Sequence, residues 1–258
     1  MPINRNHAFG GHGVSRRPAR VIADGLAIFF TSPLLSLRRV LGYLLDPALW
    51  SYARAWRQFR RMTRIAESCW LGPNAWCSTY CDQVDRERLE IRPHTIIRGL
   101  LRVETGGRIL IEENCYIGDD CILDSAESIV IGKHSMLAHG VSVFDNDSHP
   151  IAWDARAAQG RAYQEGRAGL ASRPASAAVR IGEHVWIGFN AFVAKGVTVG
   201  DRSIIAACSV VTRDVPADSL VAGNPARVVR SLAPGEAASL DAGAVKLLGI
   251  AKANGPRS

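Results

Sequence analysis

Residues 181–213 read IGEHVWIGFNAFVAKGVTVGDRSIIAACSVVTR. Ile181, Ile187, Val193, Val199, Ile205 and Val211 fall on a strict step of six, with glycine directly after Ile181, Ile187 and Val199. An amphipathic helix repeats about every 3.6 residues and cannot hold that step for so long. A six-residue period marks a parallel β-helix of hexapeptides, in which each hexad is a short flat strand plus a corner and three hexads close one coil. Upstream the pattern continues at a coil length of twenty, headed by Leu71, Ile91, Ile111 and Ile131. The inner ladder reads Leu71, Cys77, Gln83; Ile91, Ile97, Val103; Ile111, Ile117, Leu123; Ile131, Leu137, Val143. The residue four beyond each of these is generally small, as at Ala75, Cys115, Ser135, Ala191, Ser203 and Ser209, because bulk there would overpack a corner. About six coils at the strand spacing of roughly 4.8 Å predict an all-β prism on the order of 30 Å long.

The 258 residues divide around this repeat. Residues 1–20, rich in Gly, Asn, His and Arg, predict a disordered N-terminus. Residues 21–67 predict a basic, aromatic helical segment, 68–232 the β-helix with an excursion loop over 144–180, and 233–258 a C-terminal tail. The apolar run Val21–Leu37 is broken by Asp24 and Pro33 and falls short of the ~20 residues a spanning helix needs. No small-x-small cleavage site follows it. Trp50, Tyr52, Trp56 and Phe59 alternate with Arg54, Arg57, Arg60, Arg61 and Arg64. That mixture suits either a helix at an anionic membrane surface or a helical cap over the open end of the prism, and the sequence leaves both open. A net charge of +7 also permits nucleic-acid binding, but no RNA- or DNA-binding motif accompanies it, and none is expected. The six cysteines are scattered, several at corners, and predict buried reduced thiols in a cytoplasmic chain rather than disulfides or zinc. No metal is expected.

The ladder stops after Val143 and resumes at Ile181. Long excursions from a compact repeat are usually functional or disordered. This one begins Asp145-Asn146-Asp147-Ser148-His149-Pro150 at a coil corner. A neutral imidazole there can take a proton from a hydroxyl while a neighbouring carbonyl or carboxylate fixes its tautomer. Glu165 is a candidate for that second part.

The ladder, the DNDSHP segment, the VWIG run and the closing VAGNPARVVR at 221–230 together resemble the hexapeptide-repeat acyltransferases, closest to their galactoside and maltose O-acetyltransferase branch. The resemblance covers about residues 71–232. It implies a left-handed β-helix, a homotrimer with active sites between subunits, and acetyl-CoA as co-substrate. It also implies His149 as the catalytic base for direct attack of the acceptor on the thioester. Trp186 matches an aromatic residue beside the pantetheine arm. Ala207, Thr212 and Arg213 match coenzyme A-binding positions, and Arg227 and Arg230 match basic residues near its nucleotide end. On the acceptor side the candidates are Asp145, Asn146, Asp147 and Arg156. The family's acceptor-binding Asn falls on Gly118 and a coenzyme A-contacting Ser on Phe189, so the acceptor stays open.

The leading expectation is an O-acetyltransferase acting on a sugar or saccharide precursor at the inner face of a membrane, with a role in polysaccharide biosynthesis. N-acetylation of a nucleotide-linked amino sugar and acetylation of an antibiotic use the same scaffold. A gamma-class carbonic anhydrase-like hydratase would place a zinc ligand at His139, but the ligand expected five residues later is Phe144, which cannot bind zinc. A scaffold that has lost catalysis would have little reason to hold His149, Trp186 and the C-terminal arginines in one frame.

Overall fold

The computed structural model describes residues 47–79, 85–166 and 174–232. The segments expected over 1–20 and 233–258, most of 21–67, and the ladder residue Gln83 lie outside them. From Ser51 onward the described residues belong to one compact unit, a left-handed parallel β-helix. Its first face stacks Arg64–Ile65, Leu89–Ile91, Ile109–Ile111, Ile129–Ile131, Val179–Ile181 and Thr198–Val199. The second stacks Trp70–Leu71, Ile96–Ile97, Tyr116–Ile117, Met136–Leu137, Trp186–Ile187 and Ile204–Ile205. The third stacks Trp76–Thr79, Leu100–Val103, Ile122–Ser125, Ser142–Phe144, Phe192–Val193 and Val210–Val211. Ser219–Gly223 extends the second face in parallel and turns back as the antiparallel Ala226–Ser231.

The inner ladder is buried from end to end, from Leu71 through Ile117, Leu137 and Ile187 to Val211. Its register differs from the sequence reading at two places. Ile65, not Leu71, pairs with Ile91, while Leu71 pairs with Ile97. The first coil is therefore Ile65, Leu71, Cys77, and the prism starts six residues earlier than Leu71. On the third face Leu101, not Val103, stands between Cys77 and Leu123. The corner after Ile97 is two residues shorter than the corner after Ile117. Gly99 lets the backbone cut that corner, since a Cβ there would lie 2.5 Å from the Cys121 carbonyl oxygen. The slip was invisible in the sequence because a shift of two keeps a strand residue on the same side.

The glycines that follow inner aliphatics have a related cause. A Cβ at Gly188 would lie 2.6 Å from the Ala207 amide nitrogen of the next coil. Corners also place the third residue after the aliphatic in left-handed backbone, as at Asn114, Asp120, His134, His184 and Asn190; Asn, Asp and His tolerate that region better than most residues. The small corner residues Ala75, Ser135, Ala191, Ser203 and Ser209 are buried as the spacing predicts.

Cys115 and Cys121 occupy such corners, and their thiols donate to the Gly132 and Ala138 carbonyls of the next coil. Burial pushes both thiols up to about 11 and that of Cys77 up to about 12. All five described cysteines are free, and only Cys208 among them is exposed.

A single helix, α1 (Pro47–Met62), leads into the first coil. Ala55, Phe59 and Met62 recur at helical spacing and are buried in the same core cluster as Leu71 and Cys77. Gln58 Nε2 donates to the Cys77 carbonyl at 3.0 Å, so one face of α1 closes this end of the prism. Cutting the chain at residue 66 would thus remove Phe59 and Ile65 and uncover the first coil. Phe59→Ala is expected to destabilise the fold by about 3–5 kcal/mol, measured by urea unfolding. A thiol reagent at neutral pH should label Cys208 and spare Cys77, Cys115 and Cys121 until the protein unfolds, since only the thiolate reacts.

Candidate active site

The excursion leaves the prism after Phe144 through a narrow neck. Ala177 N–H donates to the Asp145 carbonyl at 2.8 Å and Asp147 N–H to the Ala175 carbonyl at 3.1 Å. Asp145 is fully buried. Its carboxylate accepts from Ser125 Oγ at 2.7 Å and from the Ala126 and Glu127 amides at 2.7 and 2.9 Å. Asp145 is therefore the pin that fixes the neck to the preceding coil, and it has no surface to offer an acceptor. Asn146 is nearly as buried and accepts from Ser148 N–H at 2.8 Å, which shapes the turn. Asp147 pairs with Lys195 of the following coil. Arg156 donates to the Pro150 and Ile151 carbonyls. Of the four acceptor-side candidates, all are engaged in holding the loop.

That loop presents His149, two residues beyond the neck. Its side chain meets the excursion's own helix, α2 (Trp153–Gln164), an element the sequence reading lacked. His149 Nδ1 lies 2.8 Å from Gln159 Oε1, and Gln159 is 4% exposed. An amide oxygen can only accept, so Nδ1 carries a proton, and in the neutral imidazole Nε2 is then the nitrogen with the free lone pair. Gln159 thus takes the role expected of Glu165, whose place at the end of α2 is set by its backbone N–H bonding the Arg161 carbonyl. Reading α2 as a helix would have put a residue ten positions after His149 in contention.

Trp186 stands elsewhere, on the outside of the second face and half exposed. With Tyr116, Met136, Ala138, His139 and Phe189 it lines a hollow of about 300 Å³. Stacking of equivalent strands brings these residues together, since Tyr116, Met136 and Trp186 share one register row. His139 Nδ1 lies 2.9 Å from the Asp119 amide, from which it accepts, and 3.3 Å from the Asp119 carboxylate. Asp119 is itself held by Arg98 at 2.8 Å, and Arg98 lies over the Trp70 ring. Apart from His139 and the Tyr116 hydroxyl, whose pKa burial raises, the hollow is apolar. The sequence reading weighed His139 only as a metal ligand and missed its aromatic setting.

The predicted coenzyme A residues divide between two edges of the prism. Ala207 sits exposed at the corner between the second and third faces, directly over Gly188 and near Trp186. Thr212 and Arg213 are exposed at the corner after the third face, the edge from which the neck and His149 emerge. Arg227 and Arg230 lie on the closing antiparallel strand. A single chain therefore places His149, Thr212 and Arg213 on one edge and Trp186 and Ala207 on another.

Two family models match within the prism: the bacterial transferase hexapeptide (six repeats) over residues 178–213, and the hexapeptide repeat of succinyl-transferase over residues 108–145. Nodulation protein L of Rhizobium meliloti is 33% identical over 172 residues, 64% of this chain and 85% of that one. Galactoside O-acetyltransferase of Escherichia coli is 32% identical over 127 residues, 49% of this chain and 56% of its own length. Among solved structures, the Bacillus cereus N-acyltransferase AntD, with dTDP and coenzyme A, shares the fold at a TM-score of 0.53 and 14% identity, covering 74% of this chain and 96% of that one.

Gln159→Leu removes the acceptor for His149 Nδ1–H and frees the ring to take the other tautomer. It is expected to lower turnover by about ten- to a hundredfold in an acetyl-transfer assay, with substrate binding and melting temperature little changed. A fall matching that of His149→Ala would mean that the amide sets the tautomer outright.

Proposed function

The chain belongs to the hexapeptide-repeat acyltransferases, and on that premise we propose that it transfers an acetyl group from acetyl-CoA to a hydroxyl of a saccharide or saccharide precursor. The observation that carries this reading is the His149–Gln159 contact, which leaves an unprotonated Nε2 on a loop whose base is fixed to two coils. In the proposed reaction Nε2 takes the proton of the acceptor hydroxyl as its oxygen attacks the thioester carbon. The tetrahedral intermediate collapses with cleavage of the carbon–sulfur bond. The thiolate of coenzyme A leaves and recovers the proton from the imidazolium, so His149 ends as it began. No covalent acetyl-enzyme forms.

The two edges give this reading its second support. One copy contributes the His149 loop with Thr212 and Arg213, and a neighbour contributes the Trp186 hollow and Ala207. Contact between unlike edges of a three-sided prism is heterologous and closes as a ring, which is the homotrimer with active sites between subunits. Trp186 flanks the pantetheine arm, while Arg213, Arg227 and Arg230 pair with the phosphates of the nucleotide end, a match of guanidinium to phosphate geometry. The acceptor is placed at the cytoplasmic face of a membrane, where saccharide precursors carried on lipids are built up. No helix among the described residues is long and apolar enough to cross that membrane.

Titration calorimetry with acetyl-CoA is the first test, and no binding at millimolar concentration would overturn the proposal. His149→Ala should retain acetyl-CoA binding and the trimer while losing turnover at least about a hundredfold. Near-normal turnover on the true acceptor would exclude the base. Replacing Arg213, Arg227 and Arg230 together by Ala should chiefly raise KM for acetyl-CoA, because contacts remote from the thioester give uniform binding. If the triple variant binds acetyl-CoA as the wild type does, these arginines are solvated surface.

A further inference from the structure

Helix α1 has two faces of opposite character. Ala55, Phe59 and Met62 point into the core. On the other side Arg54, Arg57 and Arg61, with Arg64 one step beyond the helix, recur at three- and four-residue intervals and are all exposed. Arg54, Arg57 and Arg61 form a single stripe along one helix face, roughly 10 Å long at 1.5 Å per residue. The sixteen residues of α1 contain no Asp or Glu. Among the described residues, carboxylates reach this region only near its C-terminal end, where Glu67 lies 4.0 Å from Arg60 and Glu87 lies 3.2 Å from Arg64. Arg54 lies over the Trp76 ring. Arg57 and Arg61, at the middle of the stripe, have no carboxylate partner among the described residues.

We propose that the outward face of α1 docks the protein on an anionic lipid surface through the Arg57 and Arg61 guanidinium groups, without inserting. Insertion needs a broad apolar face, and that of α1 is spent on the prism; Trp50 is its one exposed large apolar side chain among the described residues. The fit to lipid phosphate rests on charge complementarity and on the bidentate geometry of guanidinium with phosphate. The sequence just upstream, with the apolar run Val21–Leu37 followed by Arg38 and Arg39, has the composition of a chain that continues along the same kind of surface. A nucleic acid fits the stripe less well. Base contacts need polar or aromatic side chains beside the arginines, yet Gln58 is turned inward to the Cys77 carbonyl and Trp56 packs against the core, which leaves Trp50 as the one exposed Trp of the helix. The inference deepens the membrane-side location proposed above and is independent of the acyl-transfer reading.

The test uses the full chain and sedimentation with vesicles of phosphatidylcholine alone or mixed with phosphatidylglycerol. The wild type should bind the mixed vesicles, leave neutral ones unbound, and release as salt is raised. Each cation at such a surface contributes a factor of about five to partitioning. The double variant Arg57→Gln, Arg61→Gln should therefore bind at least about tenfold more weakly, whereas Arg57→Lys, Arg61→Lys should bind nearly as the wild type does. Acetyl-CoA binding should be equal in all three proteins; its loss throughout would sink the acyl-transfer reading and leave this one standing. Should the Gln pair alter the melting temperature, Arg57→Gln alone, with an expected fivefold loss, decides. Equal binding to both vesicle types, a Gln variant that binds as wild type, or tighter binding to duplex DNA than to the mixed vesicles would each overturn the proposal.

Discussion

Stacking at β-sheet distance sets nearly everything else in this molecule. Each coil must lie close enough to the next for its backbone to bond across every face, and it must turn three corners within about twenty residues. The first requirement removes the Cβ wherever one corner passes over another, as at Gly188 beneath Ala207. The second forces left-handed backbone at Asn114, His134 and His184 and small side chains at Ala75, Ser135 and Ala191. The aliphatic ladder then follows as the only way to fill a triangular bore of fixed width. A fully buried aliphatic side chain contributes about 1.5–3 kcal/mol, so the stability of the prism is spread evenly along it rather than held in one core.

The scaffold also fixes the base of the loop that carries His149. His149 sits outside the prism, and loops are the mobile part of most folds. Here the loop's base is closed by backbone bonds between Asp145 and Ala177 and between Asp147 and Ala175. The Asp145 carboxylate ties it to the coil before, and the Lys195 pair ties it to the coil after. The imidazole is oriented in turn by Gln159 on α2. Asp145 loses its solvent entirely to do this, and its hydrogen bonds offset the cost of burying a carboxylate.

The same economy governs the outside. The second face carries Tyr116, Met136 and Trp186 in one row because strands in register must place equivalent positions side by side. The apolar hollow there and the His149 loop lie on different edges of one chain. At the end of the prism, α1 spends its apolar face closing the first coil and leaves its arginines to solvent. Cap and surface anchor, which the sequence presents as rivals, are compatible, because the proposed anchor would use the side of the helix that the cap leaves to solvent.

The sequence by itself determined the β-helix, most of its bore-lining residues and the place where the excursion begins, because a six-residue period has no other regular structure to satisfy and a break in it is conspicuous. It also indicated buried thiols at Cys115 and Cys121. It could not determine register, since slips of two residues at Val103 and the displaced start at Leu71 leave every side chain on the same side of its strand. Only the tertiary structure decided that Asp145 is a buried pin, that Gln159 rather than Glu165 orients His149, and that His139 belongs to an aromatic hollow. Each of those depends on contacts between residues that periodicity does not relate: across a neck, from a helix inside an excursion, and between corners of successive coils.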